Sequence, residues 1–325
     1  MTVLVTGAAG FIGYHICERL LDRGDTVIGV DNVNDYYSVR LKEARLERLS
    51  KRENFSLHRV DIADYEALKA VFAAGGPTRV VHLAAQAGVR YSLEHPFAYI
   101  QANIVGHMSI LELCRHQERF EHLVYASSSS VYGGNTKLPF SVDDRTDTPV
   151  SLYAATKRAD ELMSHSYSHL YRIPQTGLRF FTVYGPWGRP DMAMYIFCRA
   201  IADGKPIPVF NNGDMKRDFT FVDDIVSGVV ASLDNPVAVK DGAVPHRVYN
   251  IGNHRSEPLM RMIELIEEAM GRKAEIDFQP MQPGDVQASF ADIDAIRNDL
   301  GFEPTTPIDV GIPKFVAWFK EYEKI

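Results

Sequence analysis

Short apolar runs alternate with stretches of helical spacing through the first half of this chain. Val3-Leu4-Val5 leads into a helix from Phe11 to about Arg23, which Gly24 stops. Thr26-Val27-Ile28-Gly29-Val30 is a second such run, and residues 55–61, 80–83, 123–126 and 176–179 continue the rhythm. A strand that is apolar throughout, rather than at alternate positions, is buried on both faces. The pattern therefore predicts an α/β fold, a doubly wound parallel sheet covered by helices. Beyond Gly185 the texture changes, and Pro186, Gly188, Pro190, Gly204, Pro206, Pro208 and Gly213 cut the chain into short segments. A helix from about Met260 to Met270 ends at Gly271, and no internal repeat is visible.

The first run opens into Thr6-Gly7-Ala8-Ala9-Gly10-Phe11-Ile12-Gly13. Gly7 permits the tight turn, Gly10 lets backbone approach a pyrophosphate, and Gly13 lets the helix pack close to the sheet. Amides at that helix start, around Phe11 and Ile12, then face the phosphate charge. The spacing is one residue longer than GxGxxG, so these roles carry over by analogy, and a glycine turn without ligand is the plainer alternative. Asp31 strengthens the first reading. It ends the second run eighteen residues after Gly13, where a carboxylate accepts hydrogen bonds from an adenosine ribose and repels a 2′-phosphate. NAD is therefore expected rather than NADP, with Asn32 beside the same ribose. Asp61 and Ile62, ending the third run, suit the adenine edge, although Asp61 suits a helix N-cap before Tyr65 nearly as well. Leu83, Ala84 and Ala85 end the fourth run and let a dinucleotide lie against backbone. We assign residues 1–180 to this Rossmann-type portion, with returns to its sheet around 222–251. Residues 181–325 form mainly a smaller substrate-binding portion.

Tyr153 stands four residues before Lys157. Tyrosine is a poor base at its reference pKa of about 10, but a lysine one helical turn later stabilises the phenolate and also suits the nicotinamide ribose. An ordinary amphipathic helix with a surface lysine is the alternative. A third donor is expected where the fifth run ends, in Ser127-Ser128-Ser129-Ser130. Period-two alternation puts Ser128 and Ser130 on one side. Ser128 is the preferred candidate and Ser130 the second.

Composition narrows the partners. A net charge of −7 without a basic run argues against nucleic acid. No run of about 18 apolar residues marks a membrane helix. The three cysteines, Cys17, Cys114 and Cys198, are far apart and form neither a metal spacing nor a disulfide framework, so no metal is expected and a reducing cytoplasm is. The first strand begins at Thr2 or Val3, which leaves no room for a signal peptide.

These motifs, with Leu178-Arg179-Phe180-Phe181-Thr182-Val183-Tyr184-Gly185-Pro186 and Arg217-Asp218-Phe219-Thr220-Phe221-Val222-Asp223-Asp224, resemble the extended short-chain dehydrogenase/reductases, in particular the nucleotide-sugar epimerases. Asp31-Asn32-Val33-Asn34-Asp35-Tyr36-Tyr37 and Gly185-Pro186-Trp187-Gly188-Arg189-Pro190-Asp191-Met192-Ala193 look most like the UDP-glucuronate 4-epimerases within that group. The resemblance implies interconversion of UDP-glucuronate and UDP-galacturonate, with Tyr153 taking the proton of the 4-hydroxyl while NAD takes and returns the C4 hydride. It implies that Arg189 grips the sugar carboxylate, aided by Thr182 and Ser128, unless Arg189 merely bridges to Asp191. Arg217 matches the position that meets the UDP diphosphate, or else pairs with Asp214 or Asp218. Phe210 covers the uracil or belongs to the core, Arg90 faces the pocket, Asn103 steadies the active site, and Asp285 lies near a ribose. Gln282 departs from the arginine that many neutral-sugar epimerases carry there. Ser129-Ser130 replaces the acid pair of sugar 4,6-dehydratases, and the glutamate common in UDP-glucuronate decarboxylases is missing. UDP-glucose 4-epimerase and UDP-glucuronate decarboxylase are the enzymatic alternatives, and a non-catalytic NAD-binding regulator is the alternative of another class. Helices from about Phe97 to Gln117 and Tyr153 to Tyr171 are expected to form a homodimer interface.

Overall fold

Val3, Leu4 and Val5 are fully buried, and the strand they form, β1 (Thr2–Thr6), lies inside a seven-stranded sheet. The computed structural model describes residues 1–281 and 286–325. Its sheet comprises β1, β2 (Thr26–Val30), β3 (Phe55–His58), β4 (Arg79–His82), β5 (His122–Ser128), β6 (Gln175–Phe180) and the strand His246–Ile251. From one edge the order is His246–Ile251, β6, β5, β4, β1, β2, β3, and all six pairings are parallel. This is the doubly wound α/β fold that the apolar runs predict. The order reverses between β1 and β4, where such sheets open a ligand crevice at their carboxyl ends.

Helix α1 (Phe11–Asp22) shows how the sequence builds the covering layer. Phe11, Tyr14, Ile16, Cys17, Leu20 and Leu21 form its buried stripe, and each large apolar side chain so buried contributes roughly 1.5–3 kcal/mol. Arg23 closes it and Gly24 follows at φ +88°, in the left-handed region that favours glycine. Two further helices are α2 (Val39–Leu49) and α3 (Tyr65–Gly75).

Three expectations need correction. The third run is a strand only to His58, so Asp61 sits beyond its end. Of the two returns expected around 222–251, His246–Ile251 joins the sheet, whereas Val222–Asp234 is a helix packed on α1 and β5. The helix expected from Phe97 to Gln117 is interrupted. Pro96–Tyr99 and Gly106–His116 are α-helical, and Ile100–Val105 between them is a π-helical turn.

Beyond the sheet, short strand pairs organise the second half: Thr182–Tyr184 with Phe219–Phe221, and Ile207–Phe210 with Ile276–Gln279. One buried apolar cluster nevertheless joins the two halves, from Val3 to Phe319, while a second, with Leu4, Ile28, Leu68 and Ile110, lies within the first half. Cys17, Cys114 and Cys198 are all buried and unpaired. Among the described residues no helix is long and apolar enough to cross a membrane, and no cluster of potential metal ligands occurs.

Candidate active site

The carboxyl ends of β1, β2, β4, β5 and β6 open into one groove. Gly7, Asp31, Leu83, Ser128 and Phe180 line it from the strand side, and Gly10, Phe11, Ile12 and Gly13 line it from the start of α1. Backbone geometry there admits only glycine. Gly7 has φ +73°, and a Cβ on it would stand 2.9 Å from the Ala84 amide nitrogen. A Cβ on Gly13 would fall 2.0 Å from the Gly7 carbonyl oxygen, so the close seat of α1 depends on its absence. Gly10 is the N-cap and offers no side-chain acceptor, which leaves the first amides of α1 for an anion in the groove.

Asp31 is buried at the end of β2, with Oδ2 accepting from the Ala9 amide at 3.0 Å and Oδ1 from the Val33 amide at 2.8 Å. Burial pushes its carboxyl up despite those amides. Asn32 donates to Asp61 Oδ2 at 2.9 Å, joining the loops after β2 and β3. The cap of α3 is Asp64, which accepts from the Ala67 amide at 3.1 Å; the alternative role considered for Asp61 is therefore filled by its neighbour. Ile62, Leu83, Ala84 and Ala85 line the groove as well, and Lys42 enters it with its ammonium on the Asn34 carbonyl at 2.7 Å. Beneath this floor Thr6 Oγ1 accepts from the Leu83 and Ala84 amides at 3.1 Å each and bonds His82 Nδ1 at 2.7 Å. Burial pushes His82 down to about 3, so the ring is neutral. Nothing in the sequence marked Thr6 or His82 beyond a polar residue ending each run.

Tyr153, Lys157 and Ser128 line the same groove at its other end. The helix that carries the first two, Leu152–Tyr171, is capped by Ser151, whose hydroxyl accepts from the Ala154 amide at 3.1 Å. Lys157 is buried, and its Nζ donates to the Ala126 carbonyl at 3.0 Å and to Asp160 Oδ2 at 3.1 Å. Asp160 went unnoticed in the sequence. Burial pushes its carboxyl up to about 7, against the pull of Lys157. The strand ends at Ser128, so period-two alternation does not extend to Ser130, which lies in a 3₁₀ turn. Ser130 is instead tied to Ser128, hydroxyl to hydroxyl at 3.1 Å, and meets the groove through it. Ser127 donates to Glu161 at 2.6 Å. Asn103 does not line the groove. From the π-helical turn its amide side chain brackets the Gln86 backbone, at 2.8 Å to the nitrogen and 3.2 Å to the oxygen, and donates to Thr156 at 2.9 Å.

Arg189 also faces this groove, and Thr182 lines an adjoining cavity with it. Its guanidinium pairs with Asp191, Nε to Oδ1 at 3.0 Å and Nη2 to Oδ2 at 2.5 Å, the bridging alternative raised by the sequence. Arg90 lies over the Phe210 ring at 5.3 Å. Phe210 is half-buried rather than part of the core. Arg217 donates to the carbonyls of Lys216 and Gln287 at 2.9 and 3.2 Å. Asp218 is fully buried and spends its carboxylate on Thr220 and the amides of Asn253 and Ala291. Gln282 and Asp285 lie outside the described residues. Buried Arg45 was missed too. It joins the two ends of the site, donating to the Ala9 carbonyl at 2.7 Å and the Trp187 carbonyl at 2.5 Å.

A family model described as "NAD dependent epimerase/dehydratase family" matches residues 3–252. The chain belongs to this family. NAD is its cofactor, and the glycine cradle, the uncapped amides of α1 and Asp31 fit that dinucleotide. The chain is 51% identical to Protein CapI of Staphylococcus aureus, with all of both chains covered. It is 47% identical to UDP-glucuronate 4-epimerase 1 of Arabidopsis thaliana, covering 99% of this chain and 77% of that one. The crystal structure of UDP-glucuronic acid 4-epimerase from Bacillus cereus, in complex with UDP-glucuronic acid and NAD, superposes with a TM-score of 0.91 at 33% identity, covering 99% of this chain and all of the other.

Proposed function

We propose that this enzyme interconverts UDP-glucuronate and UDP-galacturonate by inverting C4 of the sugar. The observation that carries the reading is the convergence of Tyr153, Lys157, Ser128 and Arg189 on the groove that holds the glycine cradle. Gly7, Gly10, Phe11, Ile12, Gly13, Asp31 and Lys157 would hold NAD, which supplies a hydride acceptor and donor at C4. Ser128 orients the 4-hydroxyl, and Tyr153 removes its proton and later returns it. Lys157, held by Ala126 and Asp160, favours the phenolate form of Tyr153 by its charge. Arg189, with Thr182, takes the sugar carboxylate, since a guanidinium forks a carboxylate in two parallel bonds. Arg217, Arg90 and Phe210 serve the diphosphate and uracil. Presenting both faces of C4 in turn requires the 4-keto sugar to turn while the nucleotide end stays fixed.

We also infer a homodimer. Leu93, Phe97, Leu162 and Leu170 are exposed by 71, 84, 55 and 62% on the helices around residues 91–116 and 152–171, and apolar exposure of this extent favours a covered face. Three unpaired thiols fit a cytoplasmic setting.

The test is incubation of purified protein with UDP-glucuronate, without added cofactor, and NMR of the products. UDP-galacturonate with all carbons retained is expected. A UDP-pentose or 4-keto pentose would move the assignment to decarboxylation, and turnover of UDP-glucose alone would move it to a neutral-sugar epimerase. Tyr153→Phe is expected to retain NAD while losing roughly 10²–10⁴-fold in turnover; full activity in that variant would remove Tyr153 as the base.

A further inference from the structure

Under the reading above, the sugar becomes a ketone at C4 while its carboxylate stays on C5. Such a β-keto acid loses carbon dioxide when the C5–C6 bond breaks. That electron pair passes into the C4 carbonyl as an enolate, and C5 then takes a proton. The bond breaks readily only when it lies perpendicular to the carbonyl plane, so the orientation of the carboxylate decides the outcome. Arg189 alone does not fix an orientation, because a long guanidinium side chain carries about 2 kcal/mol of rotamer freedom.

The surroundings of Arg189 remove that freedom. Asp191 binds one edge of the guanidinium, Nε at 3.0 Å and Nη2 at 2.5 Å. Arginine has five N–H donors in a planar fork, and Asp191 takes the Nε–Nη2 edge. Asp191 is itself held. Tyr36 donates to Asp191 Oδ2 at 3.1 Å, and its ring lies 5.9 Å from the Arg189 guanidinium carbon. Tyr36 packs against Tyr91 at 4.8 Å, and a Cβ on Gly88 would stand 2.5 Å from its hydroxyl. Three loops that border the groove thus meet at one phenol. The Asn34-Asp35-Tyr36-Tyr37 stretch, otherwise without a role in the chemistry, supplies it.

We propose that Asp191, steadied by Tyr36, is a positioning residue that presets Arg189 so that only its Nη1–Nη2 edge meets the sugar, and that this presentation keeps the carboxylate on the ring. The inference rests on the proposed function. Its test is product partition, measured by NMR on NAD-loaded enzyme with UDP-glucuronate. Asp191→Asn is expected to raise the decarboxylated fraction by about tenfold or more, as loss of precise orientation does. Tyr36→Phe should shift the ratio in the same direction but less, and Asp191→Glu should move it back toward wild type. A purely structural role would lower turnover while leaving the ratio unchanged, so an unaltered ratio in Asp191→Asn overturns the proposal. If that variant does not fold, an unaltered ratio in Tyr36→Phe overturns it equally. Wild-type enzyme inert toward UDP-glucuronate would instead remove the proposed function, and this inference with it.

Discussion

Glu161 lies fully enclosed beneath the site, with Arg179 forked across it at 2.8 and 2.9 Å and the Ser127 hydroxyl on Oε1 at 2.6 Å. Glu161→Gln would leave the Arg179 guanidinium buried without its counter-charge, at a cost of roughly 3–5 kcal/mol, measurable by denaturant unfolding. The pH dependence has a definite sign. Burial pushes the Glu161 carboxyl up, but Arg179, Ser127 and Arg158 together hold it below its ordinary value of 4.5. The unfolded chain therefore binds this proton more readily, so the stabilisation is present above about pH 4.5 and is lost as pH falls through the folded value. Glu161→Gln is expected to flatten the stability profile below pH 4.5; an equally steep acid transition would show that other carboxylates dominate it. Residues were legible in the sequence where local spacing brings them together, as with Tyr153 and Lys157, which share one helix and line one groove. Arg45 and Tyr36 were not, because they act on partners 142 and 155 positions away and nothing in their own neighbourhoods marks the contact. Asp191 was visible only as a rival for Arg189, since the sequence does not tell which edge of a guanidinium is used.

At the level of elements, runs rich in apolar residues located the sheet strands of the first 180 residues. The signal was plain where both faces are buried, as in β1 and β5, and less so at the edge strand β3, whose residues are partly exposed. Boundaries followed less closely. Strand β3 stops at His58, and the Val60 amide then bonds back to the His58 carbonyl at 3.1 Å, a local turn with no apolar marker. The π-helical turn at Ile100–Val105 was equally hidden, since helical spacing does not distinguish one extra residue per turn. Its effect is to carry Asn103 inward, and π-turns often sit at functional sites. The junction of β1 and α1 yields a prediction at this scale. A methyl group at Gly13 would stand 2.0 Å from backbone oxygen and must drive α1 away from the sheet. Gly13→Ala is expected to cost about 1–3 kcal/mol and to deplete copurified NAD. The nucleotide released on denaturation, together with the thermal midpoint, checks both; undiminished NAD content would mean that the cradle tolerates a wider seat.

For the whole molecule, the apolar side chains at Leu93, Phe97, Leu162 and Leu170 contribute little to the monomer's own core, because they are largely exposed. Charged replacements there should leave the fold intact while breaking association. Light scattering is expected to give a mass near twice 36.5 kDa for the wild type and near the single value for Phe97→Asp/Leu170→Asp; a wild-type monomer at working concentration would remove the dimer. The buried cysteines bear on the same question. Burial pushes the Cys198 thiol up to about 12 and raises Cys17 and Cys114 as well, so none offers a thiolate at neutral pH. The native chain is therefore a silent background for maleimide labelling. A single cysteine placed at Leu162 would be the one accessible thiol, and its protection from the reagent would report directly whether that face is covered in solution.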